Sequence, residues 1–115
     1  MAQAGRDAGS TGGRADHVCR CRAVLHQTRG KEEEVAAILK KMIRISNAEP
    51  GCVLYTVNRS IDDPRKFLLY EQYRDRAGYE AHMATEAFKE NILGKVVPML
   101  ESRVREFYEV IEPDS

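Results

Sequence analysis

Four side chains in this 115-residue sequence pair a titratable or hydrogen-bonding group with a position from which it could act on a bound molecule: His82, Glu71, Tyr73 and Asn58. An imidazole titrates near pH ~6.5 and can take a proton close to neutrality, which makes His82 a candidate general base. Spacing by two sets Phe67, Leu69, Glu71 and Tyr73 on one face of an extended segment. An acid on that face could orient His82 or bind an arginine. A purely structural account competes at each position. His82 can be a helix histidine packed at a subunit rim or satisfied by Glu71, and Glu71 can belong to a buried ion pair or bond to backbone. Asn58 interrupts an apolar strand, where it could donate to a substrate oxygen or simply close the strand at its turn. Tyr55, Tyr70 and Tyr108 suit a pocket wall or a packed interface, and packing is the commoner use.

His17, Cys19 and Cys21 share one face of the first strand, which raises the question of a metal. Their spacing is not that of a zinc knuckle and no fourth ligand is evident. Small apolar cysteines in a core explain the same residues, so no metal site is expected. There is no Gly-rich phosphate loop, no G-x-S-x-G and no dinucleotide fingerprint, and no cofactor is expected. Lys+Arg and Asp+Glu balance at 18 each, without the basic stripe that nucleic-acid binding needs. No apolar run nears the roughly 20 residues that span a bilayer. The first residues have no apolar stretch after their charges, unlike a secretory signal, and Asp7 and Asp16 offset Arg6 and Arg14, unlike a mitochondrial presequence. Three cysteines without framework spacing suit a reducing cytoplasm.

The elements that must position these groups follow from periodicity. Residues 1–16 hold four of the eight glycines and almost no large apolar side chain, which predicts a disordered extension or a start-site artefact. The domain is expected over 17–112, with a tail at 113–115. His17 to Gln27 reads as a strand whose Cys19, Cys21, Ala23 and Leu25 face a core. Val35, Ile38, Leu39, Met42 and Ile45 recur at helical spacing, with Glu32, Glu33 and Glu34 in the first turn and a stop at Pro50-Gly51. Cys52–Ser60 and Lys66–Arg74 read as a hairpin joined by Asp and Pro turn chemistry. The stretch from Asp75 reads as a helix in two pieces, with Asp75 and Thr85 as caps, Phe88, Ile92 and Val96 as a core stripe, and Pro98 loosening the end. Arg103 to Ile111 completes the set as a strand.

This order, β-α-β-β-α-β, predicts an α+β ferredoxin-like domain: an antiparallel four-stranded sheet with both helices on one face. The middle strands carry apolar side chains on both faces, in Val53-Leu54-Tyr55-Thr56-Val57 and Phe67-Leu68-Leu69-Tyr70. Helices can cover one face only. Burying a second face of roughly 400 Å² is worth on the order of 10 kcal/mol before association costs, and a two-fold copy of the same face is the simplest cover. A homodimer through the sheet is therefore expected.

EPGCVLYTVNRSIDDP, then FLLYEQY, then AHMATEAF together resemble the antibiotic biosynthesis monooxygenase family over about His17 to Ile111. The resemblance implies a dimeric α/β barrel in which two sheets pack together, with a pocket in each subunit between sheet and helices. Members of that family include cofactor-free oxygenases of quinols and anthrones, haem-degrading enzymes and an isomerase. In this sequence His82 matches the histidine of the family's helix motif, and Glu71 and Tyr73 match its Glu-x-aromatic pattern; by residue chemistry His82, Glu71 and Tyr73 are the candidate catalytic residues and Asn58, Tyr55 and Phe88 the substrate-binding ones. Two departures matter. Ala87 stands where many members have a second histidine, and Tyr73 stands where tryptophan is frequent. The chain has no tryptophan, which argues against haem degradation. The expected activity is a cofactor-independent monooxygenase oxidising a small electron-rich aromatic, quinol or anthrone-like, with dioxygen. The alternatives are an isomerase of a small carbonyl compound and a non-catalytic dimeric ligand-binding or stress-responsive protein. An open, polar-lined pocket containing His82 favours an enzyme, and one filled by Tyr and Leu side chains favours the last.

Overall fold

A computed structural model of the chain describes residues 19–27, 30–109, 111 and 113. The extension expected over 1–16, His17 and Val18, the end expected near Val110 and Glu112, and the side chains of Cys19 and Cys21 lie outside the described residues. The elements are β1 (Cys19–Gln27), α1 (Glu32–Asn47), β2 (Cys52–Arg59), β3 (Lys66–Tyr73), α2 (Arg76–Met83), α3 (Phe88–Val96) and β4 (Leu100–Tyr108). The strands run β2-β3-β1-β4 across one antiparallel sheet, the arrangement expected of a ferredoxin-like βαββαβ unit. No described helix is long and apolar enough to cross a membrane.

Alternation decides which side chains meet the helices. On β3, Phe67, Leu69, Glu71 and Tyr73 are buried while Leu68, Tyr70 and Gln72 on the other face are half-buried. Ala23 and Leu25 from β1 and Tyr55 from β2 join them against Val35, Leu39 and Met42 of α1 and Phe88, Ile92 and Val96 of α3. The stripes expected on both helices are the ones that pack.

Local chemistry sets the junctions. Asp75 accepts from the Gly78 amide at 2.8 Å and caps α2. Thr85 ends α2 by donating to the His82 carbonyl at 2.8 Å and starts the next piece by accepting from the Phe88 amide at 3.1 Å. The second piece is wound as a π-helix, which the periodicity does not reveal. Pro98, which has no N–H for the ladder, follows in a 3₁₀ turn over Val97–Met99. β4 starts at Leu100, earlier than the sequence suggests, and ends at Tyr108. Its faces are also the reverse of a simple apolar-inward strand. Val104 and Tyr108 stand exposed on the open face, while Arg103 and Arg105 face the helices.

The turn closing α1 is held from two sides. The Asn47 side chain donates to the Tyr55 carbonyl at 3.0 Å and accepts from the Tyr55 amide at 3.1 Å, tying the helix end to β2. Gly51 then lies against Gly78 of α2, so close that a Cβ on Gly51 would sit 2.8 Å from the Gly78 Cα. The neighbouring atom is backbone and cannot swing away. Gly51→Ala should therefore lower stability by about 1–3 kcal/mol, read as a lower urea midpoint at unchanged slope.

Candidate active site

His82 reaches the sheet because the cap at Asp75 and the Gly51–Gly78 contact lay α2 over the ends of β2 and β3. Its side chain is 2% exposed. Four aromatic rings surround it, with centroids at 5.1 Å for Phe88, 5.3 Å for Tyr73, 5.8 Å for Tyr55 and 6.4 Å for Tyr79. Such a box excludes water and leaves the imidazole dependent on protein partners.

Those partners are two carboxylates on opposite sides of the ring. Nδ1 lies 3.0 and 3.2 Å from the two oxygens of Glu49, in the turn between α1 and β2. Nε2 lies 3.9 Å from Glu71 Oε1, beyond hydrogen-bond reach. A carboxylate accepts, so the proton of the neutral ring belongs on Nδ1 and the Nε2 lone pair faces Glu71. Glu71 in turn accepts from the Tyr73 hydroxyl at 2.7 Å. The row thus reads Glu49, His82, Glu71, Tyr73. Because the acids bracket the ring and do not converge, they form no metal cage, and no metal-holding group of three His, Cys, Asp or Glu exists among the described residues.

Burial, the largest influence on Glu71, pushes its carboxyl above the ordinary value of 4.5, against the Tyr73 hydrogen bond and the His82 charge. Burial and then the Glu71 charge push the Tyr73 phenol far upward, so it stays a donor. Burial, with Glu49 and Glu71 near, pushes the Cys52 thiol up to about 11. It remains protonated at neutral pH and is a poor nucleophile.

Beside His82 runs a narrow cavity of about 20 Å³, room for about one water. Tyr55, Glu71, His82 and Phe88 line it, as do Arg103 and Arg105 from β4. The structure therefore gathers four of the six candidate residues around one space. Tyr73 does not line it; fully buried, it reaches the site through Glu71. Asn58 is a correction. Strand alternation puts it on the exposed face of the sheet, where its side chain donates to Thr56 Oγ1 and the Leu68 carbonyl. Glu71 was also the expected partner of His82, yet Glu49 makes the closer contact. Glu49 follows the last turn of α1, where the sequence reads as a plain helix stop. The one available signal was an acid directly before Pro-Gly.

The Glu71 shift has a consequence for stability. The folded state holds this proton more tightly than the unfolded chain, so stability falls as pH rises from the ordinary value of 4.5 through the raised one. Glu71→Gln cannot lose that proton and can still accept from Tyr73. Its melting temperature relative to wild type should climb as pH rises above the ordinary carboxyl value of 4.5. A flat difference would show that Glu71 is not held toward its neutral form.

The model of the antibiotic biosynthesis monooxygenase family matches residues 20–92. An uncharacterised protein of Synechocystis is 35% identical over 60 residues, which are 52% of this chain and 41% of that protein. The match thus spans less than half the length of that relative. A solved structure from Shewanella oneidensis superposes with a TM-score of 0.77 at 30% identity, covering 83% of this chain and 92% of that one. One from Pseudomonas aeruginosa gives 0.80 at 23%, covering 85% and 98%. A Nitrosomonas europaea protein that takes its name from the same family gives 0.75 at 24%, covering 87% and 96%. These last two speak for the fold alone. With the family model matched across β1, α1, β2, β3, α2 and the start of α3, the chain belongs to the antibiotic biosynthesis monooxygenase family.

Proposed function

We propose that the chain is a cofactor-independent monooxygenase of a small electron-rich aromatic, a quinol or anthrone, working in the cytoplasm as a homodimer. The observation that carries this is His82 on the wall of a largely apolar cavity, with Glu49 bonded to its Nδ1. Glu49 holds the Nδ1 proton and keeps Nε2 free to take a phenolic or enolic proton. Stripped of that proton in a water-poor site, the substrate becomes electron-rich enough to reduce dioxygen directly. One oxygen atom enters the ring and the other leaves as water, with all four electrons supplied by the substrate.

Oxygen uptake with a panel of hydroquinones and anthrones tests this. His82→Ala should lower the rate by about 100-fold or more, the usual scale of a lost general base. An unchanged rate removes His82 from the chemistry. Product formation without oxygen uptake would instead support the isomerase. One observation favours a non-catalytic role: the cavity is narrow, and Tyr55, Phe88 and leucines fill much of the space around it. No oxygen uptake with any substrate, together with tight ligand binding, would decide for it.

The dimer is supported by the open face of the sheet. Val104 is 55% exposed, Tyr108 48% and Leu54 36%, beside half-buried Val24, Leu68 and Tyr70. On the same face Arg20 Nε donates to the Tyr70 hydroxyl at 3.0 Å while its buried Nη1 has no acceptor among the described residues. An acceptor from a second copy would satisfy it. Wild type should elute with a dimer's mass by light scattering, and Val104→Glu should elute as a folded monomer. A monomeric wild type would refute the interface.

A further inference from the structure

β4 brings two cations to the cavity that proton transfer at His82 does not require. Its register sets Arg103 opposite Leu25 and Arg105 opposite Ala23, and all four residues line the cavity. Glu71 is the carboxyl on that lining, and the Arg103 charge already acts on it. Two guanidiniums thus meet one acid.

Arg105 differs from the arginines of the domain that are paired with an acid. Arg59 meets Glu33, Arg65 meets Glu101 and Arg76 meets Glu80. Arg105 instead donates through Nη1 to the Tyr79 hydroxyl at 3.0 Å and approaches Met83 Sδ at 3.7 Å, and neither group is charged. A guanidinium offers five N–H groups in a fork matched to the two oxygens of a carboxylate or a phosphate. A single phenol oxygen uses little of that capacity. The Arg105–Tyr79 bond also braces β4 against α2 beside a cavity that has room for about one water. An anion that draws Arg105 away from Tyr79 releases the brace, so binding the charge also makes room for the ring.

Resting on the assignment of His82 as the base at this cavity, we propose that the substrate is an aromatic acid, its hydroxylated ring beside His82 and its carboxylate or phosphate held by Arg103 and Arg105. Neutral quinols are then weaker ligands than quinols that carry an acid group.

Binding is read apart from turnover, so the two assignments fail separately. The probes are 1-hydroxy-2-naphthoic acid, its neutral amide and naphthyl phosphate, measured by calorimetry and thermal shift with the full chain. The acid or the phosphate, whichever anion the fork accepts, should bind at least about tenfold more tightly than the amide. That preference should vanish in Arg105→Gln and partly return in Arg105→Lys, which restores charge without the fork. His82→Ala should keep the preference. For any probe turned over, Arg105→Gln should raise KM with kcat little changed. Equal affinity for acid and amide overturns the proposal. So does an unaltered preference in a folded Arg105→Gln, or no binding of either anion. None of these outcomes bears on whether His82 removes a proton, which oxygen uptake reports.

Discussion

His82 and Glu49 stand 33 positions apart, and a backbone contact with no room for a side chain is what lets them meet. Gly51 and Gly78 touch where the turn after α1 passes under the first turn of α2. Hydrogen bonds hold that turn in place: the Arg74 amide donates to the Gly51 carbonyl at 2.9 Å, and Arg74 Nε donates to the Pro50 carbonyl at 3.0 Å. Widening the contact by one methyl group would push α2 outward, lengthening a charge-assisted bond that is favourable only over a few tenths of an ångström. The packing of two glycines therefore governs an electrostatic relation in the site.

Around that fixed pair the site balances opposing demands. The aromatic box and the sheet remove water from His82 and Glu71, which penalises charge. The Tyr73 hydroxyl, the Glu49 carboxylate and the arginines of β4 return part of what solvent would have given. Glu49 is the less buried of the two acids, at 15% exposure against 7% for Glu71. Water therefore reaches Glu49 more readily than Glu71. The two carboxylates flanking one imidazole are thus chemically distinct, one suited to hold a proton donor in place and the other pushed by burial toward its protonated form. Environments that separate like groups in this way are a common basis for dividing acid and base roles.

Much of this was legible in the sequence because it rests on short periods. Alternation by two placed Glu71 and Tyr73 on one face of β3 with Phe67 and Leu69, and the spacing of Val35, Leu39 and Met42 gave the packed stripe of α1. Asp75 and Thr85 were readable as caps because the chemistry of a cap is local. Contacts made by docking were not readable. Glu49 sits in a turn whose partner lies beyond two strands, and no local pattern identifies that partner. Asn58 was misplaced because a polar residue on an apolar strand looks functional until the strand's phase is known, and the Leu54–Thr56–Asn58 set turned out to face away from the helices. On β4 the helix side is taken by charged residues. Arg103 and Arg105 look like a solvent-facing alternate, yet the strand lies at the sheet's margin, where the helices leave a recess and long cationic side chains can line it while their heads stay wet.

The amide of Asn47 has a significance beyond tying α1 to β2. β2 is a border strand, with β3 on one side and no strand on the other. The main-chain groups of Tyr55 on that outer side would be an invitation for a foreign strand to add itself, which is how edge-to-edge aggregation starts. By giving Tyr55 both a donor and an acceptor, the Asn47 carboxamide imitates one rung of a neighbouring strand and then stops, because a side chain cannot propagate a ladder. The sheet is closed to extension at the middle of its border by a single residue, while its broad open face stays available for association.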